Sequence, residues 1–364
     1  MNVTIVNFYG KGGMLYYAVA LANALCRRCD IRLVLPRKEP GFYKGIDQKI
    51  MLVEVDVPED FSRANLLRLP FYAAALPGLI RKILKPQPDI VHFTNENIWL
   101  TTLIPFMDCR RLVWTLHDPL PHSGDSLRKK MATNLLARSS SKIFVHYKFN
   151  FEMAQTQGYE ASKLVVIPHG DYSFYEKYVR QGVIPGRMVL FWGRIRPYKG
   201  IETLVDCLKY LPDDVQVVIA GQGAGAYELA AARDGRIRLI DKFLSEEEIA
   251  QLCQECSVVA TPYTDASQSG IVPVAYAFSR PVVATNVGAL PEQVEDGVTG
   301  LLVQPGDPKA LAEAIDKLLR NPHMAASMGI AGFRKSHSDM SWDSIAQTVC
   351  ETYDNILEKV SHGR

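Results

Sequence analysis

The sequence has no apolar run of the roughly 18 residues that a membrane-spanning helix needs. It also has no tandem repeat and no low-complexity tract, so membrane-spanning, solenoid and disordered readings are set aside. The opening MNVTIVNFYG lacks the basic and apolar regions of a signal peptide and runs straight into a strand pattern. The expectation is a cytoplasmic protein, bound at most to the cytoplasmic face of a membrane. Cysteine is sparse, seven residues with no disulfide-framework spacing. Cys26/Cys29 and Cys253/Cys256 have the C-x-x-C spacing of zinc and redox sites. Both pairs lie in helical patterns, with no second pair or histidine to complete four ligands, so reduced, buried thiols are expected. No D-x-D occurs anywhere, so the usual carboxylate clamp for a catalytic metal is missing. No metal and no cofactor are expected.

What is present is a soluble α/β pattern. Hydrophobic residues make up 48% and charged residues 22% of 364 residues, a length that suits two domains better than one core. The net charge of +2 hides an asymmetry: residues 1–175 hold 22 Lys and Arg against 15 Asp and Glu, and the rest hold 19 against 24. An anionic partner should therefore meet the first half. Strand patterns VTIVNFY, IRLVLP, IMLVEVDV, DIVHFT, RLVWTLHD, KIFVHY and LVVIPHG alternate with helical or loop segments, as in a parallel doubly wound sheet. A glycine cluster (Gly10, Gly12, Gly13) follows the first strand, at the end where such sheets bind ligands. Residues 172–186 have no clean period and read as a linker, after which the pattern restarts. The expected architecture is a first domain over 1–171, a second over 187–340, and a returning helix over 341–364.

Several segments carry candidate chemistry. In FWGRIRPYKGIETL, Gly193 ends a strand, and Arg194 and Lys199 stand in the loop before a helix. Charge, amides and helix dipole there suit a pyrophosphate, although the same residues would also serve a solvated loop. The segment lacks the G-x-G-x-x-G and following acid of a dehydrogenase. Ser267, Gln268, Ser269 and Gly270 precede an apolar helix beginning at Ile271, either a plain cap or a second anion- or hydroxyl-binding end. His117, with Asp118 after it, ends a strand, and His122 and His169 are further candidates for the same region. For each, a structural histidine is the competing reading. The stretch 61–88 holds five basic residues and no acidic one among Leu, Phe and Tyr. It suits an anionic membrane surface or, equally, a solvated basic face. No nucleic-acid-binding fold is evident.

The pieces GGM, YAVALANAL, PDIVH, WTLHDP, VIPHGD, GRIRPYKG, AGQG, TPY and SQSGIVPVAYAFSRPVVATNVGALPE, in this order over nearly the whole chain, resemble glycosyltransferase family 4. The resemblance implies the GT-B fold, two Rossmann-like domains facing across a cleft, with the last helix packing back on the first. It implies a retaining transferase acting on a UDP-, GDP- or other nucleoside-diphosphate sugar, with a saccharide or lipid-linked glycan as acceptor. On that resemblance Arg194 and Lys199 bind the donor diphosphate, and the turn at Gly12 and Gly13 closes over its phosphates. His117 faces the transferred sugar, and Asp241, Phe243 and Leu244 lie at the nucleobase. One departure stands out. The family's Glu-x7-Glu positions hold Ala266 and Val274, as in a subset with S-Q-S-G there. Sugar and ribose hydroxyls must then be held by neighbours such as Asp265, Gln268 and Ser269. Two rivals remain: a nucleotide-sugar epimerase of the same fold, and a non-catalytic sugar-nucleotide-binding partner.

Overall fold

Among the described residues, thirteen parallel strands in two sheets organise the chain, and their apolar sequences account for where they lie. The structure, a computed structural model, describes residues 1–39, 43–58, 69–119 and 127–363. Contacts divide it into two units, Met1–His169 with Trp342–Arg364, and Gly170–Ser341.

The first unit contains β1 (Asn2–Val6), β2 (Asp30–Pro36), β3 (Met51–Val55), β4 (Ile90–Phe93), β5 (Leu112–Leu116), β6 (Lys142–His146) and β7 (Leu164–Ile167). Their order in the sheet is β3-β2-β1-β4-β5-β6-β7. Central strands covered on both faces need apolar side chains throughout rather than alternation. Accordingly, β4 and β5 are buried at every position, whereas the edge strands β3 and β7 each carry exposed residues. One core lies between the sheet, the helix Gly12–Leu25 and the C-terminal helix Trp342–Ser361; it includes Tyr17, Leu21, Leu25, Ile345, Val349 and Tyr353. The opposite core is built on Phe8, Phe93, Trp114 and Leu136. The expected returning helix thus packs within the first unit.

The second unit contains β8 (Met188–Trp192), β9 (Gln216–Ala220), β10 (Ile237–Ile240), β11 (Val258–Thr261), β12 (Val282–Thr285) and β13 (Gly300–Val303), ordered β10-β9-β8-β11-β12-β13. Helix starts follow local chemistry. Ser245 and Glu248 form a reciprocal capping box, and Asp307 caps a helix with Pro308 in its first turn, each cap being worth about 1 kcal/mol. The segment 172–186 is more than a connector. Ser173–Tyr178 forms a 3-10 helix whose Tyr175 is buried, with ring centroids 4.3 Å from Phe174 and 5.9 Å from Phe278. Aromatic packing, invisible to a periodicity argument, orders it within the second unit.

Each sheet reverses its winding direction once, between β1 and β4 in the first and between β8 and β11 in the second. Open α/β sheets bind ligands in the crevice beyond the carboxyl ends of the strands at such reversals.

Candidate functional site

In the second unit, the loop after β8 carries Gly193, Arg194, Arg196 and Lys199. Arg194 and Arg196 are exposed and Lys199 is half-buried. The loop is seated by Gly200 at φ +63, where a Cβ would lie 1.9 Å from the Pro262 carbonyl oxygen. Only glycine lets this loop meet the end of β11. The Lys199 ammonium stands 3.9 Å from the centroid of the Tyr263 ring and 4.8 Å from that of Tyr198. Those rings hold the cation in place, and burial pulls its pKa below the ordinary lysine value. Three formal charges and a glycine turn at a sheet reversal have the chemistry that attracts an anion.

The loop after β11 is held from within. The Ser269 amide donates to Gln293 Oε1 at 2.8 Å, and Gln293 Nε2 donates back to the Ser269 carbonyl at 2.9 Å. The Ser269 hydroxyl lies 2.8 Å from the Tyr263 hydroxyl and accepts from the Ile271 amide at 3.2 Å. Ser269 is 2% exposed. It therefore shapes the turn, and the amides of Ser269 and Ile271 are bonded internally. Gln268 is half-buried and Gly270 exposed at the same turn. Gly288, at φ +56, brings the next loop against the Ala266 carbonyl, where a Cβ would stand 1.4 Å from the oxygen. Ala266 and Val274 are 2% and 3% exposed, so these two positions belong to the core.

Asp241 accepts from the amides of Gly223 and Gly225 at 2.8 and 3.0 Å and thereby holds the turn after β9. Leu244 is buried, whereas Phe243 is 74% exposed. Tyr263, Gln293 and the Gly221–Gly225 turn were not singled out from sequence as site residues. The AGQG motif was the one signal that pointed to that turn.

In the first unit, Asn7 sits fully buried at the end of β1. Its side chain donates to the carbonyls of Tyr9 and Met14 and accepts from the Tyr9 amide and from Asn95. It thus braces the turn that carries Gly12 and Gly13, which are exposed. Histidines gather at the same edge. The ring centroid of His117 is 4.9 Å from His146 and 6.2 Å from His169, and that of Tyr17 is 4.7 Å from His117. His117 Nε2 lies 3.0 Å from the Thr94 carbonyl and its Nδ1 3.1 Å from His146 Nε2. A carbonyl only accepts, so Nε2 of His117 carries the proton, Nδ1 accepts, and His146 donates. Burial, reinforced by His169, pushes the His117 pKa down to about 3, so the ring is neutral. His146 is lowered too, by burial and by both neighbouring histidines. Asp118 is half-buried beside this cluster in sequence, and His122 lies outside the described residues.

His146 escaped the sequence reading, although KIFVH placed a histidine at the end of a strand much as WTLHDP and VIPHGD did nearby. Among the described residues no group of three or more His, Cys, Asp or Glu side chains is arranged to hold a metal ion, and no helix is long and apolar enough to cross a membrane. Of the basic stretch, residues 61–68 lie outside the described residues; the helix Leu69–Leu84 carries exposed Phe71, Arg81 and Lys82.

Residues 11–170 match the family model described as Glycosyltransferase Family 4, and residues 186–321 the one described as Glycosyl transferases group 1. The D-inositol 3-phosphate glycosyltransferase of Corynebacterium aurimucosum is 26% identical, over 95% of this chain and 91% of that relative. The GDP-mannose:glycolipid 4-beta-D-mannosyltransferase of Xanthomonas campestris is 30% identical, over 68% of this chain and 69% of its own. Among solved structures, Anabaena HepE in complex with UDP-glucose has a TM-score of 0.75 at 22% identity, covering 98% of this chain and 100% of that one. WaaG, a glycosyltransferase involved in lipopolysaccharide biosynthesis, has a TM-score of 0.66 at 15% identity over 98% of this chain and 99% of its own. At these identities the structural likeness speaks for the fold, which is GT-B.

Proposed function

Because the chain belongs to glycosyltransferase family 4, we propose that it moves a sugar from a nucleoside-diphosphate sugar to a hydroxyl of a saccharide or lipid-linked glycan, with retention of configuration and without a bound metal. The observation that carries this reading is the pair Arg194 and Lys199 on the glycine-seated loop at the reversal of the second sheet. These cations take the place of a metal in neutralising the leaving diphosphate. The donor class is supported by HepE, which was solved with UDP-glucose, and by a relative named for GDP-mannose. An epimerase would need no acceptor, and the named relatives are transferases.

In this reading Phe243, exposed beside buried Leu244, packs on the nucleobase. Gln268 meets the sugar or ribose hydroxyls on the turn that Ser269 and Gln293 hold. The acceptor oxygen bonds to the anomeric carbon as the bond to the diphosphate oxygen breaks, and its proton passes to the leaving phosphate on the same face. His117 then serves as a neutral, hydrogen-bonded wall rather than as the base, since Nε2 already holds a proton for Thr94 and Nδ1 accepts from His146. Positioning and electrostatics supply the rate.

Calorimetry with nucleoside-diphosphate sugars, repeated in excess chelator, tests the donor site. Arg194→Ala and Lys199→Ala should each weaken binding by about 2–4 kcal/mol, and turnover should survive chelation. Unchanged affinity in both variants, or activity abolished by chelator and restored by magnesium, would overturn the assignment. For the lipid-linked acceptor, exposed Phe71 together with Arg81 and Lys82 on one helix supports docking on an anionic membrane face. Reversing Arg81, Lys82 and Lys85 to Glu should then reduce co-sedimentation with anionic vesicles while donor affinity holds. Equal sedimentation would leave only a solvated face.

A further inference from the structure

The first unit holds a thiol contact that the C-x-x-C spacing did not foretell. Cys29 closes the turn between the helix Gly12–Leu25 and β2, its amide donating to the Leu25 carbonyl at 2.9 Å. Cys350 lies in the C-terminal helix Trp342–Ser361. The two sulfurs are 3.6 Å apart, although 321 residues separate them in the chain. Cys26, which shares the C-x-x-C spacing with Cys29, is turned elsewhere, its thiol donating to the Asn23 carbonyl at 3.1 Å.

Both sulfurs belong to one packed core. Cys29 is 8% exposed, and Cys350 is half-buried against the same cluster as Ile345, Val349 and Tyr353. The pair is therefore held in contact by the packing of the last helix on the first unit. A disulfide needs sulfurs about 2.05 Å apart, which side-chain rotation and small shifts can supply from this separation.

We propose that Cys29 and Cys350 form a modification site, a reversible disulfide made by a peroxide oxidant, which staples the C-terminal helix to the first unit. The Cys29 thiolate attacks the peroxide oxygen, the O–O bond breaks, and a sulfenic acid forms on Cys29 with release of hydroxide. The Cys350 sulfur then attacks the Cys29 sulfur and loses its proton as water leaves, so two thiols are oxidised by two electrons and one peroxide is reduced. The order of attack follows from polarity: the hydrogen bond from Cys350 and the nearby amino terminus favour the thiolate on Cys29, while the same contact and burial disfavour it on Cys350. A dithiol reverses the bond by exchange. The staple bears on the rest of the unit, because the same helix brings the Trp342 ring to 5.3 Å from Tyr17 and the Tyr353 hydroxyl to 2.6 Å from His92 Nδ1.

The test is intact-mass and peptide mapping of the full-length protein after hydrogen peroxide and thiol alkylation. The expected wild type loses two hydrogens, protects two of its seven thiols from alkylation, joins the peptides of Cys29 and Cys350, and regains both thiols with a dithiol. In Cys350→Ser the link disappears and a sulfenic acid on Cys29 is trapped by a 1,3-diketone; in Cys29→Ser no Cys350 cross-link forms. Hydrogen exchange in residues 342–361 of the wild type should slow on oxidation, which reads the staple without relying on a variant. All seven thiols remaining alkylatable, or a link from Cys29 to Cys26 instead, would overturn the proposal.

Discussion

At the carboxyl end of the first sheet a cluster of imidazole and amide side chains is neutral and buried; at the same end of the second, formal cations stand on a glycine-seated loop. His117, His146 and Asn7 satisfy one another and the backbone in the first unit, and burial keeps the two imidazoles uncharged. In the second unit Arg194 is exposed and Lys199 is backed by two aromatic rings. One architecture thus carries two different sets of side chains at its carboxyl edge. Under the proposed function the first set meets the hydroxyl-bearing acceptor and the second the anionic donor, whereas the charge balance of the sequence pointed an anion to the first half.

The contrast breaks most readily at the glycines of the second unit. Gly288→Ala or Gly200→Ala would drive a Cβ into a backbone carbonyl, so each should destabilise the protein by about 3 kcal/mol or more. Urea unfolding would register this, and an unchanged midpoint would mean that the loops do not approach as described.

The buried histidines should mark the first unit by acid sensitivity. His92 and His117 both have pKa values pushed down to about 3 by burial. The unfolded chain takes up protons below its ordinary histidine value, while the folded chain does not until near 3, so stability falls as pH drops through that window. Each such group contributes a slope of about 1.4 kcal/mol per pH unit, hence roughly 3 for the two. Denaturant titrations between pH 7 and 5 should show the slope, and His92→Gln should lessen it. A flat profile would mean that these rings protonate in the folded state.

A smaller effect separates neighbours on one turn. Ser269→Ala removes a hydroxyl bonded to Tyr263 and to the Ile271 amide, so it should lower stability by about 1 kcal/mol. Gln268→Ala should leave stability nearly unchanged and lower kcat/KM by roughly ten- to a hundredfold, equivalent to about 1.4–2.7 kcal/mol. Paired unfolding and kinetic measurements compare the two. Equal kinetic losses without any stability change in Ser269→Ala would return that hydroxyl to the substrate.

Much of this was legible in order along the chain. Strand patterns such as DIVHFT and RLVWTLHD lie where β4 and β5 form. Arg194 and Lys199 stood out because charge, amides and a helix start beside a glycine suit a pyrophosphate. Ser269 stood out from sequence as a partner for sugar or ribose hydroxyls, because it lies just before an apolar helix. What covers it is Gln293, 24 residues later.

By itself, then, the sequence determined the element order and the two parallel sheets, since these follow from periods of 2 and 3.6. Tertiary structure alone decided which tautomer His117 holds, that Asp241 braces a glycine turn, and that Cys29 meets Cys350 rather than Cys26. Those outcomes depend on distances between residues far apart in the chain, and only packing around the shared cores brings such residues into contact.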